Sequence, residues 1–346
     1  MHPASSPETG RDPWPDGPRP APAGAAPVPR TGPGEDDDGD RRGGPRRARR
    51  GGEPPRRSDD APDEPEEEVV PPVPVRRPLA LAVAGFAALL GLGLVLAAQT
   101  SGPGHRLPFA IVVLGVQVLF VLAWSTALRP PATLLVAGIG VGAAVVADVV
   151  AVRMDEPGLL PLFGVAVAAL LLAVLGQLVR RVDRARLTDS LRGTALIAAG
   201  VVTFATLILL SRIPAGTQTI TVGLLAAGVA LTVARVTDAF AAWPRLAPQV
   251  PRGAAGVVGG AMVGTLSSAL LGSYLVTPFT PTKAALIGLV AAVAAVLADL
   301  AAGYAEAGRL MAGEPPTLWE ARHLQGPLAG FAFAAPTAYL MCKLVF

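Results

Sequence analysis

Charged residues are scarce in this sequence of 346 residues, of which only 16% are Asp, Glu, Lys or Arg. Soluble domains carry about 25% charged residues. The low charge, together with 51% hydrophobic residues, excludes an ordinary soluble enzyme and a nucleic-acid-binding module. The net charge of +3 is too small an excess to indicate a nucleic-acid partner.

Cysteine and histidine are also rare, with one Cys and three His in the chain. A single cysteine, Cys342, excludes an internal disulfide and any metal site built on several cysteines. We interpret Cys342 as a small apolar residue in a terminal helix. His323 is expected in a loop without a second histidine nearby, so we expect no metal site there.

Residues 1–75 are rich in Pro, Gly, Arg, Asp and Glu and contain few large apolar side chains. Such a segment buries too little apolar surface to offset its chain entropy, which predicts a disordered tail. An Arg block at 41–50 lies between acidic runs at 35–38 and 66–68. Two interpretations stay open: the Arg block contacts anionic lipid or an acidic partner, or the tail is solvated and neutralises itself.

Residues 76–346 form a series of apolar stretches, each about as long as a helix that crosses a membrane. Short polar or proline-containing breaks separate the stretches. The sequence therefore predicts an all-α integral membrane protein of the plasma membrane with about nine transmembrane helices. We expect them at 78–98, 107–128, 132–152, 159–179, 193–211, 217–236, 254–276, 283–303 and 326–345.

The distribution of Arg and Lys between the loops predicts the orientation in the membrane. The loop between the fourth and fifth spans is the most basic, and alternate counting places it on the same side as the tail. Its arginines are Arg180, Arg181, Arg184, Arg186 and Arg192. We therefore expect a cytoplasmic N-terminus and a C-terminus outside the cell.

Small residues at four-residue spacing predict close helix packing. Gly256, Gly260 and Gly264 form such a face on the seventh span, and Gly138 and Gly142 form one on the third.

Three aspartates lie in the apolar spans, where ionisable groups are costly and usually face the bundle interior. Asp148, near the end of the third span, is expected either at the membrane interface or in the interior. Asp238 follows Arg235 by three residues, which predicts an ion pair on one helix face. Asp299 has no opposite charge within one helical turn and is the strongest candidate for a site residue.

The order of several short motifs resembles the phosphatidate cytidylyltransferase (CDP-diacylglycerol synthase) family. An Asp ends one span at Asp238, and Leu246-Ala247-Pro248 precedes a glycine-rich helix. Ala298-Asp299-Leu300 then comes before a charged loop, and Phe333 to Pro336 reads F-A-A-P in the last span. The likeness covers residues 78–346, essentially the whole membrane part.

The resemblance implies a fold that condenses phosphatidic acid with CTP, using Asp-bound divalent ions and basic residues that hold phosphates. Asp299 is retained, but most other charged positions of the family signature are replaced. The final two Asp fall on Gly326 and Ala329, and the two Lys-containing pairs fall on Glu306-Ala307 and Ala312-Gly313. We therefore expect the family's fold without its activity.

Three hypotheses follow. The first is a non-catalytic relative that binds membrane lipids or acts as a scaffold for another membrane protein, with Asp238 and Asp299 as remnants of the site and no cofactor. The second is an active enzyme that binds Mg²⁺ through relocated ligands, with Asp299 the first choice for a metal ligand. These ligands would be Asp238, Asp299, Glu306, Glu314 and Glu320. The third is an unrelated transporter or structural membrane protein.

Overall fold

A computed structural model describes residues 73–101, 106–130, 132–154, 158–180, 184–275, 277–314 and 319–346. In the described part of the chain, nine helices are long and apolar enough to cross a membrane. The protein therefore has an all-α, multi-pass membrane architecture, as predicted. The predicted disorder of residues 1–75 falls almost entirely on residues 1–72, which lie outside the described residues.

The helices follow one another with short connections, and one small hairpin interrupts the series. Their bounds are α1 Arg77–Ser101, α2 Arg106–Leu128, α3 Thr133–Arg153, α4 Leu160–Arg180, α5 Arg184–Leu210, α6 Gly216–Ala241, β1 Arg245–Ala247, β2 Val250–Gly253, α7 Ala254–Tyr274, α8 Pro281–Met311 and α9 Trp319–Val345.

Several helices extend beyond the predicted spans at the end of the bundle where α1 begins, which we call the tail side. α5 begins at Arg184 instead of 193, and α8 continues to Met311 instead of 303. α9 begins at Trp319 instead of 326, so His323 lies in a helix and its predicted loop position is wrong. Apolarity marks only the part of a helix inside the membrane. Good helix formers such as Ala, Glu and Arg continue it into water.

The chain between α6 and α7, expected only as a polar break, forms an antiparallel β-hairpin. Arg245 pairs with Gly253, and Ala247 pairs with Val250. The segment before α1 joins this hairpin, because Val73 N donates to Pro248 O at 3.0 Å and Arg245 Nη1 donates to Val73 O at 2.8 Å. The hairpin is thereby fixed over the tail side of the bundle.

α6 lies at the centre of one half of the bundle and packs against α1, α7, α8 and α9. The glycine face of α7 allows the closest of these contacts. A Cβ atom at Gly260 would lie 2.5 Å from Ala230 O, and one at Gly264 would lie 2.5 Å from Ala226 O. The predicted packing role of Gly256, Gly260 and Gly264 is confirmed.

The corresponding prediction for α3 is wrong. Gly138 and Gly142 are exposed, and a Cβ at either position would contact nothing. The buried face of α3 instead carries Gly140, where a Cβ would lie 2.7 Å from Ile197 Cγ2 of α5. The spacing of small residues identified a helix that packs closely but selected the wrong face of it.

Cys342 is buried in α9, as predicted for a small apolar residue. Its thiol accepts a hydrogen bond from Thr219 Oγ1 at 3.3 Å.

Candidate functional site

Four charged side chains form one buried network on the tail side of the bundle. Asp299 accepts hydrogen bonds from Arg235 through Oδ1 and from Arg252 through Oδ2. Arg252 also donates through Nη1 to Asp238 Oδ2 at 2.9 Å. The Arg252 guanidinium therefore bridges the two aspartates that the sequence identified as remnants of a site.

Three elements bring these residues together. α6 carries Arg235 and Asp238, β2 carries Arg252, and α8 carries Asp299. Gly253 N, at the end of the hairpin, donates to Asp238 Oδ1 at 2.9 Å and so fixes the hairpin to α6. Without the hairpin, Arg252 would not reach the bundle interior.

Glycines allow the neighbouring helices to approach the network. A Cβ at Gly256 of α7 would lie 2.7 Å from Asp238 Oδ1. A Cβ at Gly326 of α9 would overlap Asp299 Oδ1 and lie 2.7 Å from Arg235 Nη2. The resemblance expects an acidic metal ligand at position 326. The Arg235–Asp299 pair occupies the space that its side chain would need, so only glycine fits there.

The network is deeply buried and balanced in charge. Asp299 is 0% exposed, and Asp238 and Arg252 are each 2% exposed. Two carboxylates face two guanidinium groups, which is the arrangement that buried charges require. Burial lowers the pKa of Arg252 and the nearby Arg235 lowers it further, whereas Asp299 and Asp238 raise it. Arginine is not deprotonated in proteins, so Arg252 keeps its charge.

The predicted ion pair between Asp238 and Arg235 is wrong. Arg235 pairs with Asp299 of α8, and Asp238 pairs with Arg252 of the hairpin. The spacing of three residues places Arg235 and Asp238 on one face of α6. Each of the two residues then pairs with a side chain from another element, α8 for Arg235 and the hairpin for Asp238. Asp299, without an opposite charge on its own turn, receives both of its partners from elsewhere in the chain.

The network does not fit a magnesium ion. All four carboxylate oxygens of Asp238 and Asp299 already accept a hydrogen bond from Arg235, Arg252 or Gly253 N. Mg²⁺ needs near-octahedral oxygen ligands, usually several waters and one or two carboxylates. To bind both aspartates it would have to displace the guanidinium group of Arg252, which lies between them. Among the described residues, no group of three or more His, Cys, Asp or Glu could hold a metal ion.

Of the other proposed acidic ligands, Glu306 lines the same cavity as the two aspartates but has an arginine partner of its own. Glu306, expected beyond the membrane boundary, is buried in α8 and pairs with Arg309, whose Nη1 donates to Ala127 O at 2.6 Å. Glu314 is exposed beyond the end of α8. The side chain of Glu320 lies outside the described residues.

A cavity of about 420 Å³ opens beside the network. Its polar lining includes Arg76, Arg235, Arg252, Glu306, His323 and Gln325, and its apolar lining includes Leu79, Val83 and Ala302. The segment before α1, the hairpin, and helices α1, α6, α8 and α9 all contribute to the wall. The cavity combines charged groups with an apolar side, which suits a ligand that has both characters.

Three polar atoms of side chains that line this cavity are buried without a hydrogen-bond partner among the described residues. They are Arg235 Nε, Arg252 Nε and Gln325 Nε2. All three are donors. Sequence reasoning missed Gln325 because a neutral amide just before the last predicted span carries no signal of a site. It missed Arg252 because this residue falls in a polar break between two spans.

Asp148 faces the interior of the helix bundle. It is 6% exposed and accepts a hydrogen bond from Gln117 Nε2 at 2.9 Å. It lies on α3, which is not among the elements that form the charged network or the cavity wall.

No protein-family model matches the chain, and neither a curated protein nor a solved structure matches it.

Proposed function

We propose that this membrane protein is a non-catalytic relative of the phosphatidate cytidylyltransferase family that binds the phosphate of a membrane lipid in the tail-side cavity. The single observation that carries the proposal is the bridging of Asp238 and Asp299 by Arg252. Two aspartates that match positions in the family's motifs are here joined by a guanidinium group.

The spatial arrangement supports the relationship to the family. Asp238 and Asp299 are 61 positions apart in the sequence, yet one side chain contacts both. The residues of this contact lie on α6, the hairpin and α8, three of the elements that carry motifs of the resemblance.

The same arrangement disfavours catalysis. Transfer of a cytidylyl group needs electrostatic stabilisation of the triphosphate, and losing one such donor costs about 10²–10³ in rate. Here the carboxylate oxygens are engaged with cations, and Gly326 and Ala329 stand where the resemblance expects metal ligands. Activity with relocated ligands would need Glu306, which is paired with Arg309.

The unpartnered atoms in the cavity indicate the chemistry of the ligand. Buried donors without partners are costly, so the missing partner is an acceptor. A phosphate group accepts several hydrogen bonds and pairs well with arginine. The apolar wall formed by Leu79 and Val83 at the start of α1 favours a phosphate that belongs to a lipid.

Lipid binding is tested with the purified full chain by native mass spectrometry after titration with phosphatidic acid, phosphatidylcholine or inorganic phosphate. We expect retention of phosphatidic acid in preference to phosphatidylcholine. Replacing Gln325 with Glu places an acceptor and a negative charge at the unpartnered donor, so retention should fall at least tenfold. Equal retention of all lipids by the wild type and by Gln325→Glu would refute the proposal.

The control is Gln99→Glu, which makes the same chemical change at an exposed glutamine near the far end of α1. It should leave lipid retention unchanged. Inorganic phosphate serves to separate the sources of the ligand. If it competes as well as phosphatidic acid does, the site binds phosphate without recognising the lipid.

A further inference from the structure

A second buried polar site joins α2, α3 and α5, away from the cavity. Gln117 of α2 is fully buried, and its side-chain nitrogen donates two hydrogen bonds. Nε2 contacts Asp148 Oδ1 of α3 at 2.9 Å and Val201 O of α5 at 2.9 Å. A single amide thus connects three membrane-spanning helices.

These contacts fix the orientation of the Gln117 amide. Reversing it would direct the oxygen at two acceptors, Asp148 Oδ1 and Val201 O. Two atoms are then left: Gln117 Oε1 and Asp148 Oδ2 have no hydrogen-bond partner among the described residues. Both are acceptors if Asp148 is a carboxylate, and the described chain supplies no donor to either.

No charge in the described part of the protein compensates a negative Asp148. It forms no ion pair there, and the described buried residues of α2, α4 and α5 include no charged side chain. The neighbouring buried turns carry Ala144 and Ala151 on α3. Arg212 donates to Ala151 O at 2.6 Å and to Met154 O, farther towards the end of α3.

We propose that Asp148 is a proton-binding site, occupied at neutral pH, in which the carboxylic acid donates from Oδ2 to Gln117 Oε1. The proton comes from water, and no other reactant is needed. One proton turns Oδ2 from an acceptor into a donor and so satisfies both unpartnered atoms. It also removes an uncompensated charge from the membrane interior.

Proton occupancy is thereby coupled to the packing of α2, α3 and α5. If Asp148 loses its proton, a carboxylate remains among apolar residues with only one hydrogen bond. The three helices would then have to separate enough to admit water. This site is independent of the proposed lipid cavity, so either proposal can fail without the other.

The proton is observable by infrared spectroscopy of the full chain in lipid nanodiscs at neutral pH. We expect a carboxylic-acid C=O band that shifts when aspartate is labelled with ¹³C and when the sample is exchanged into D₂O. Asp148→Asn should lose the band while keeping the fold, because its amide can donate to Gln117 Oε1. Glu314→Gln, which removes an exposed carboxyl group, should leave the band unchanged.

A second variant assigns the band if Asp148→Asn does not fold. Gln117→Leu removes the acceptor, so the C=O band should move to the frequency of a less strongly hydrogen-bonded acid. A wild-type spectrum without a ¹³C-sensitive carboxylic-acid band would overturn the proposal. So would a band that persists in Asp148→Asn or that does not move in Gln117→Leu.

Discussion

At the residue scale, Arg252 is the side chain on which the tail-side network depends. It is 2% exposed and pairs with both Asp238 and Asp299. Without it, each aspartate would lose a cationic partner, and Asp238 would retain only the hydrogen bond from Gly253 N. A buried carboxylate that loses its partner is far more costly than an exposed one.

Replacing Arg252 with Gln should therefore destabilise the protein by about 3–5 kcal/mol, the usual effect of breaking a buried pair. The free energy of unfolding is measured by denaturant titration in detergent. Arg153→Gln makes the same change at an exposed position near the end of α3, and its effect should stay below about 1 kcal/mol. Similar losses in both variants would contradict a structural role of the network.

Which residues form this network could be predicted only in part. Asp238 and Asp299 stood out because a carboxylate in an apolar span is rare and costly. Their partners could not be predicted, because Arg252 lies in a stretch with no helical or strand periodicity. Its contact with Asp299 spans 47 positions and requires the hairpin to fold back over α6 and α8.

At the element scale, the close approach of α6 and α7 depends on the glycine face of α7. In lipid, helices associate largely through van der Waals packing, so small residues at the contact determine how near the backbones come. A Cβ at Gly260 would lie 2.5 Å from Ala230 O and 3.0 Å from Ala234 Cβ, whereas a Cβ at the neighbouring Gly259 would contact nothing. The two glycines are adjacent in α7, so they differ mainly in which face of the helix they occupy.

Gly260→Ala should destabilise the α6–α7 contact by about 1–3 kcal/mol, because the added methyl group overlaps the α6 backbone. Gly259→Ala should be neutral or stabilise the helix by up to about 1 kcal/mol through the higher helix propensity of alanine. Thermal unfolding of both variants in the same detergent tests this. A Gly259→Ala variant that is the less stable of the two would contradict the packing account.

The sequence predicts where the helices lie, but it does not predict which face of each helix packs against its neighbours. A run of about 20 apolar residues reports a membrane span directly, since each residue contributes by its own transfer free energy. The face that packs depends on the neighbours. Gly138 and Gly142 are spaced like Gly256 and Gly260 yet are exposed, while Gly140 contacts α5.

At the scale of the whole molecule, the hairpin, the cavity and the charged network all lie at the end of the bundle where α1 begins. If all nine helices cross the membrane, the two ends of the described chain face opposite sides of it. The excess of arginine at the end of α4 and the start of α5 predicts a cytoplasmic tail side. The cavity would then open towards the cytoplasm.

Reporter fusions test this orientation. A reporter at the C-terminus should be active only if it is of a type that functions outside the cytoplasm. A reporter inserted between Arg180 and Arg184, in the loop between α4 and α5, should be active only in a cytoplasmic form. The reverse pattern at both positions would place the cavity on the outer side and contradict the orientation.

The most direct test of the central claim is an assay of cytidylyl transfer. Purified full-length protein is incubated with CTP, phosphatidic acid and Mg²⁺, and pyrophosphate and CDP-diacylglycerol are measured. Because Arg235, Arg252 and Gly253 N occupy the carboxylate oxygens of Asp238 and Asp299, we predict no product above the protein-free blank. Steady turnover that is abolished in Asp299→Asn would contradict the account.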